Sequence, residues 1–251
     1  MLELQQDGSI LRVTLNRPEV RNAFNDELIA ELSHTFQTVS SQTRAVVLRG
    51  NGKSFCAGGD LEWMRKAANY SEEENFQDAL KLGGLFQSIA RCPAVVISLV
   101  HGAAFGGGCG LVAASDVAIA DPETKFSFSE VKIGLIPGTI SLLVIPKIGA
   151  GHARSLFATG EVFTSAKAEK IGLVHEVAPQ EDWDSVLNAK LGSILASGPK
   201  AVTQAKLAVL DYPISLEESA RRLARARASE EGKEGVGAFL EKRKASYVEE
   251  R

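Results

Sequence analysis

The chain has 251 residues, of which 45% are hydrophobic and 24% charged, and a formal net charge of −3 at pH 7. That is enough to bury a sizeable core, as one large domain or two small ones. The slightly acidic balance gives no general pull toward nucleic acid or an anionic membrane surface.

The opening "MLELQQDGSILRVTLNRP" has no basic stretch followed by an apolar one, so no signal peptide is expected. "ILRVTL" (Ile10–Leu15) reads as a strand and "NRPEVRN" as a polar turn containing Pro18. Phe24, Leu28, Leu32, Phe36 and Val39 then recur at helical spacing, opposed by Asp26, Glu27 and Glu31, which predicts an amphipathic helix. "RAVVLRG" (Arg44–Gly50) is a second strand, running into the glycine-rich "NGKSFCAGGDLEWM". Ser71 and Glu74 resemble a capping box opening a helix that runs toward Arg91. "AVVISLV" (Ala94–Val100) is a third strand, "GGGCGLVAAS" a turn into a short helix, "DVAIA" a fourth strand and "TKFSFSE" another short one. After residue 150 only "GLVHEV" (Gly172–Val177) reads as strand, and the remainder reads as helices with a charge-rich tail. The fold class is therefore α/β, with a core over residues 1–195 and a helical region over 196–251.

One stretch tests the membrane question. Cys92 to Ser115 carries no Asp, Glu, Lys or Arg, and a spanning helix needs about 20 apolar residues. Pro93 and five glycines interrupt it, and its β-branched first part reads as a buried strand, so no membrane span is expected. Cys56, Cys92 and Cys109 lack C-x-x-C spacing and cannot all pair, which points to small buried thiols in a reducing, cytoplasmic compartment. His34, His101, His152 and His175 show no ligand spacing, and no metal site is expected.

Two glycine-rich loops, "CAGGD" (56–60) and "GGGCG" (106–110), each follow a strand and precede a helix. Neither matches a P-loop or a dinucleotide fingerprint, and G-x-S-x-G is absent. What they offer is backbone N–H groups at helix N-termini, and two such loops side by side would grip one developing oxyanion. Glu130, in "FSFSEVKIGLIPG", stands among apolar residues that would raise its pKa and suit it to proton transfer. By composition alone it is equally a helix N-terminal acid or an ion-pair partner.

"FCAGGDLEWM", "HGAAFGGGCGLVAASDVAIA", "FSFSEVKIGLIPG" and "AEKIGLVHEV" together resemble, in order and over nearly the whole chain, the signatures of the enoyl-CoA hydratase/isomerase (crotonase) superfamily. The resemblance implies a spiral of ββα units, assembled as a homotrimer or a dimer of trimers, acting on acyl-CoA thioesters. Coenzyme A would enter as part of the substrate, with no separate cofactor. It implies Gly59 and Gly107 as oxyanion donors and Glu130 as the acid/base. Ala23, Ala57 and Leu61 would line the CoA path, with Asp60 as the acidic residue beside it. Phe239 and Lys242 would reach CoA, in some relatives that of a neighbouring subunit, from a C-terminal region that trimerises.

One position departs from the pattern: Gly110 stands where hydratases of this family carry a first glutamate. By chemistry alone that leans toward a Δ3,Δ2-enoyl-CoA isomerase, in which one base shifts a proton from C2 to C4. The finer resemblance is to bacterial members similar to 3-methylglutaconyl-CoA hydratases of leucine breakdown. There a substrate carboxylate, facing Arg65 or Lys66, would help position water. Hydration is thus the leading expectation and isomerisation the runner-up. A non-catalytic acyl-CoA- or RNA-binding role is the third reading, with the acidic balance weighing against RNA. Asp116 and Glu123 are the fallback carboxylates.

Overall fold

The computed structural model describes residues 1–249. Nine strands among them form two sheets. The larger has the order β1 (Leu2–Asp7), β2 (Ile10–Leu15), β3 (Ala45–Gly50), β4 (Val95–Val100), β6 (Val117–Ala120) and β9 (Glu176–Val177). Only β1 runs antiparallel to its neighbour; the other pairs are parallel. The smaller sheet has the order β5 (Ala103–Phe105), β7 (Lys125–Ser127), β8 (Val162–Thr164).

The ββα spiral follows from how the chain alternates between these sheets. β4 is followed by β5 and then α4 (Gly107–Ala114); β6 is followed by β7 and then α5 (Gly138–Ile148). β3 takes the same path, but its second strand is reduced to one bridge, Cys56 opposite Ala104 of β5. The chain is thus α/β in the expected sense.

Both faces of the large sheet are covered, so its central strands read as continuous apolar runs. Val46, Leu48, Val96 and Val100 face α1 (Asp26–Gln37), α3 (Glu72–Ala90) and α4 in the main core. Ala45, Val47, Ile97 and Leu99 face the other way, onto Leu187, Leu191 and Leu195 of α8 (Trp183–Leu195). α3 opens with the expected capping box at Ser71 and Glu74, both bonds formed.

Three strands were not legible. β1 is an exposed edge with little apolar patterning, and β5 and β8 are three residues each. The predicted strand at 172–177 shrinks to two residues. The middle of the chain continues through α6 (Ala150–Thr159) and α7 (Ser165–Lys170). Beyond α8 come α9 (Pro199–Leu210), α10 (Leu216–Ala228) and α11 (Glu230–Leu240). Arg44, immediately before β3, ties this region to the core. Its guanidinium donates to the carbonyls of Ile194, Ser197 and Tyr247 and pairs with Glu249. Among the described residues no helix is long and apolar enough to cross a membrane.

Candidate active site

The first glycine loop is held from two sides. The Phe24 amide donates to the Gly58 carbonyl at 2.7 Å, and the Asp60 amide to the Phe24 carbonyl at 2.8 Å. In a parallel bridge of this kind, the polar groups of the middle residue, Gly59, point away from Phe24. A Cβ on Gly59 would meet the side chains of Met64 and Trp63, the first at 3.3 Å.

Asp60 then starts α2 (Leu61–Ala67), its carboxylate accepting from the Glu62 amide at 2.9 Å and pairing with Arg17 at 2.9 Å. Burial works against ionising Asp60. The Glu62 amide and the Arg17 guanidinium outweigh it and hold the carboxyl below the usual range. Arg17 also donates to the Ala23 carbonyl. Asp60 therefore has a frame-building task, whatever it contributes to a ligand.

The second loop is stitched to the first. The Cys56 amide donates to the Ala103 carbonyl at 3.1 Å, and the Phe105 amide to the Cys56 carbonyl at 3.0 Å. Gly108 presses so closely that a Cβ there would sit 2.3 Å from the Cys56 carbonyl oxygen. α4 begins at this junction. The first amides of a helix have no intrahelical acceptor and lie at the positive end of its dipole; Gly107 contributes the first of them.

Glu130 reaches the same spot from the small sheet. The Gly106 amide donates to the Ser127 carbonyl at 2.9 Å, tying the start of α4 to β7. Glu130 follows in a 3-10 turn, Ser129–Ile133. A Cβ on Gly106 would lie 3.3 Å from Glu130 Oε1, so the carboxylate sits beside the residue that precedes Gly107. Glu130 Oε2 is buried and takes no hydrogen bond from any described group. Burial pushes the pKa of Glu130 up, with its own main-chain amide opposing. Glu130 does sit in the first turn of that 3-10 helix, as a helix acid would, and no ion pair to it is seen among the described residues. It is a half-buried carboxylate with a buried, unpartnered Oε2 beside Gly106, an arrangement able to take up and return a proton next to the start of α4.

At Gly110 a Cβ would lie 2.6 Å from Ile140 Cγ2 and 2.7 Å from Phe86 Cζ. Phe86 comes from α3, edge-on to Phe24 at 6.1 Å between centroids, and Ile140 comes from α5. Gly110 therefore opens no space for substrate: the place of the first glutamate is filled by an apolar wall. Sequence reasoning missed Phe86 and Ile140. Helical periodicity marks both as inward-facing, but which inward residue meets position 110 depends on how α3 and α5 dock.

The remaining candidates fall into three groups. Ala23 is buried, Ala57 is half-buried with its amide donating to the Arg21 carbonyl at 3.0 Å, and Leu61 is 74% exposed at the first position of α2. Phe239 is 81% exposed on α11 and Lys242 follows it, in a region whose main packing is with α9 and α10 rather than with the glycine loops. Lys66 pairs with Asp26 at 3.3 Å, whereas Arg65 is exposed.

Asp116 accepts from the Val96 amide and from Lys206, and Glu123 is exposed, so neither competes with Glu130. All three cysteines are free and buried, with burial pushing Cys56 up to about 12. His175 is held at about 4 by burial, with Lys147 and Lys190 adding to the effect, and accepts from the Ala118 amide. Among the described residues no group of three or more His, Cys, Asp or Glu is placed to hold a metal ion.

The sequence model of the enoyl-CoA hydratase/isomerase family matches residues 5–250. The crotonyl-CoA hydratase of Syntrophomonas wolfei is 33% identical over 260 residues, covering 98% of this chain and 96% of that protein. An enoyl-CoA hydratase from Shewanella pealeana has a similar structure, with a TM-score of 0.92 at 36% identity over 98% of this chain and 95% of that one. An enoyl-CoA hydratase/isomerase from Marinobacter aquaeolei gives 0.92 at 35%, covering 99% of both chains.

Proposed function

Because the chain belongs to the enoyl-CoA hydratase/isomerase family, we propose that it binds an enoyl-CoA thioester across its two glycine loops and adds water to the 2,3 double bond. Glu130 takes a proton from the attacking water, whose oxygen bonds to C3. The displaced electron pair moves through C2 onto the thioester oxygen, giving an enolate. The Gly59 and Gly107 amides hold that oxygen, a contribution of about 3–4 kcal/mol for one such donor in other enzymes. Glu130 then returns the proton to C2, so one carboxylate serves both halves. The supporting observation is its position, half-buried against Gly106 at the start of α4, with Oε2 itself buried and without a hydrogen-bond partner among the described residues.

Ala23, Ala57 and Leu61 are proposed to line the path of the CoA moiety, with Asp60 holding the loop beneath it. Phe239 and Lys242 would meet the CoA of a neighbouring copy in a homotrimer or a dimer of trimers. The exposed apolar side chains of Leu216, Val236, Phe239 and Leu240 support self-association through the C-terminal helices. The reaction draws on no cofactor beyond the CoA of the substrate.

The wall over Gly110 favours a second reading, Δ3,Δ2-isomerisation, because moving one proton between C2 and C4 needs no second carboxylate. Incubation with crotonyl-CoA, 3-methylglutaconyl-CoA and a 3-enoyl-CoA separates the two. Loss of conjugated enoyl absorbance with a mass gain of one water is expected. A shift of the double bond without mass gain would replace hydration by isomerisation, and CoA-ester binding without turnover would leave only a binding role. Preference for 3-methylglutaconyl-CoA that is lost in Arg65→Ala would assign Arg65 to the distal carboxylate.

A further inference from the structure

α4 is a weak helix carrying a demanding task. Its sequence is GGCGLVAA, its N-cap Gly106 supplies no side-chain bond, and each glycine costs up to about 1 kcal/mol relative to alanine in a helix interior. All its residues from Gly108 onward are buried, so water is not at hand to satisfy the carbonyls orphaned at its C-terminus. Ser115 bonds back to the Leu111 and Val112 carbonyls through its hydroxyl and amide, and one distant side chain reaches the last ones. Lys147, in the last turn of α5, directs Nζ at the carbonyls of Ser115, Val112 and Ala113, at 2.6, 3.2 and 3.4 Å. An ammonium has three donors, and three acceptors converge on it here. It also places a positive charge at the negative pole of the helix.

The same α5 brings Ile140 over Gly110, so it grips α4 at its middle as well as at its C-terminal end. Behind Lys147, Asp116 accepts from Lys206 of α9 at 2.6 Å and from the Val96 amide at 2.8 Å, which joins this node to β4 and to the C-terminal helices.

We infer that Lys147 is a positioning residue for the reaction: by fastening the C-terminal carbonyls of α4 to α5, it fixes where the Gly107 amide stands at the other end of the same short helix. The inference rests on the oxyanion role proposed for Gly107. Eight residues span about 12 Å at 1.5 Å per residue, so a shift or tilt at one end moves the other. Misplacement by about 1 Å is enough to cost about a hundredfold in rate.

The test uses a chromophoric acyl-CoA, cinnamoyl-CoA, whose absorbance moves to the red when its carbonyl is polarised. Wild type, Lys147→Met, Lys147→Arg and Glu130→Gln are compared for that shift, for its Kd and for kcat and KM on the active substrate. Lys147→Met should keep KM within about threefold while kcat falls about tenfold to a hundredfold and the red shift shrinks. Lys147→Arg should recover part of both, and Glu130→Gln should keep the full shift while turnover falls by about 10²–10⁴. A full shift and an unchanged kcat in Lys147→Met would overturn the role of Lys147 alone. Bound cinnamoyl-CoA without a red shift in wild type would overturn the oxyanion reading itself.

Should Lys147→Met fail to fold, an alkaline titration carries the test. Burial pushes Lys147 down to about 8, opposed by Asp116. The other charged groups around it are Lys206 and, beyond, His175. The red shift of wild type should therefore decline as pH rises through about 8, while that of Lys147→Arg persists. Identical titrations would refute the inference.

Discussion

Burial raises the pKa of Glu130 above that of an ordinary glutamate, so its proton-accepting form is populated only above a correspondingly raised pH. The acid limb of kcat/KM should lie above about 4.3, the free-glutamate value, and a pH–rate profile reads it directly. The same shift acts on stability. Between the unfolded and folded pKa values the folded state binds more protons, so stability falls as pH rises through that window and then levels off. Glu130→Gln removes this cost. Its melting temperature at pH 7 should equal or exceed that of wild type, while turnover falls by about 10²–10⁴ and CoA-ester affinity is retained.

Gly110 behaves oppositely, because nothing can be added there. Gly110→Ala should cost about 1–3 kcal/mol in urea unfolding through overpacking against Phe86 and Ile140. Gly110→Glu should cost more, because it also buries a charge. Truncating Phe86 and Ile140 to alanine in the Gly110→Glu background would make room for the carboxylate, and the triple variant tests whether a second acid raises hydration.

At the scale of elements, Asp60 joins a helix cap to a buried ion pair, and the two are separable. Asp60→Asn keeps a capping oxygen and loses the charge facing Arg17; Asp60→Ala loses both. The difference between them in urea midpoints should report the cap, at about 1 kcal/mol. Both variants should lower kcat if Gly59 shifts with the start of α2. These elements also mark how far the sequence could be read.

The helix predicted from Phe24 begins instead at Asp26, because Asn25 caps it by accepting from the Leu28 amide at 2.9 Å, which frees Phe24 to pair with Gly59. The two glycine loops and Glu130 were legible because each lies in a short local pattern whose backbone does the work. The Phe86–Ile140 wall, the Arg17–Asp60 pair and the Lys147 cap were not. They join distant segments through side chains, and their partners are decided by docking angles rather than by spacing.

For the molecule as a whole, Arg44 is the pin between the sheet and the C-terminal helices. Arg44→Met would remove a donor from three carbonyls and the charged partner of Glu249, leaving its carboxylate only the Ser9 hydroxyl among the described residues. With these half-buried carbonyls losing their donor, α9–α11 should become the first region cut in limited proteolysis. Sedimentation should show assembly beyond the monomer, weakened by Phe239→Ser, since the exposed apolar surface of these helices needs a cover.

The bridge between Cys56 and Ala104 has a consequence in time. The two glycine loops are sewn to each other through β5, the Cys56 amide donating to the Ala103 carbonyl and the Phe105 amide to the Cys56 carbonyl across the bridge. The amides of Cys56 and Phe105 should therefore exchange with deuterium as slowly as the central strands, on the clock of global unfolding rather than of loop motion. Under the proposed function, the spacing of the two loops would then be set when the chain folds rather than at each turnover, and slow exchange of these two amides checks it.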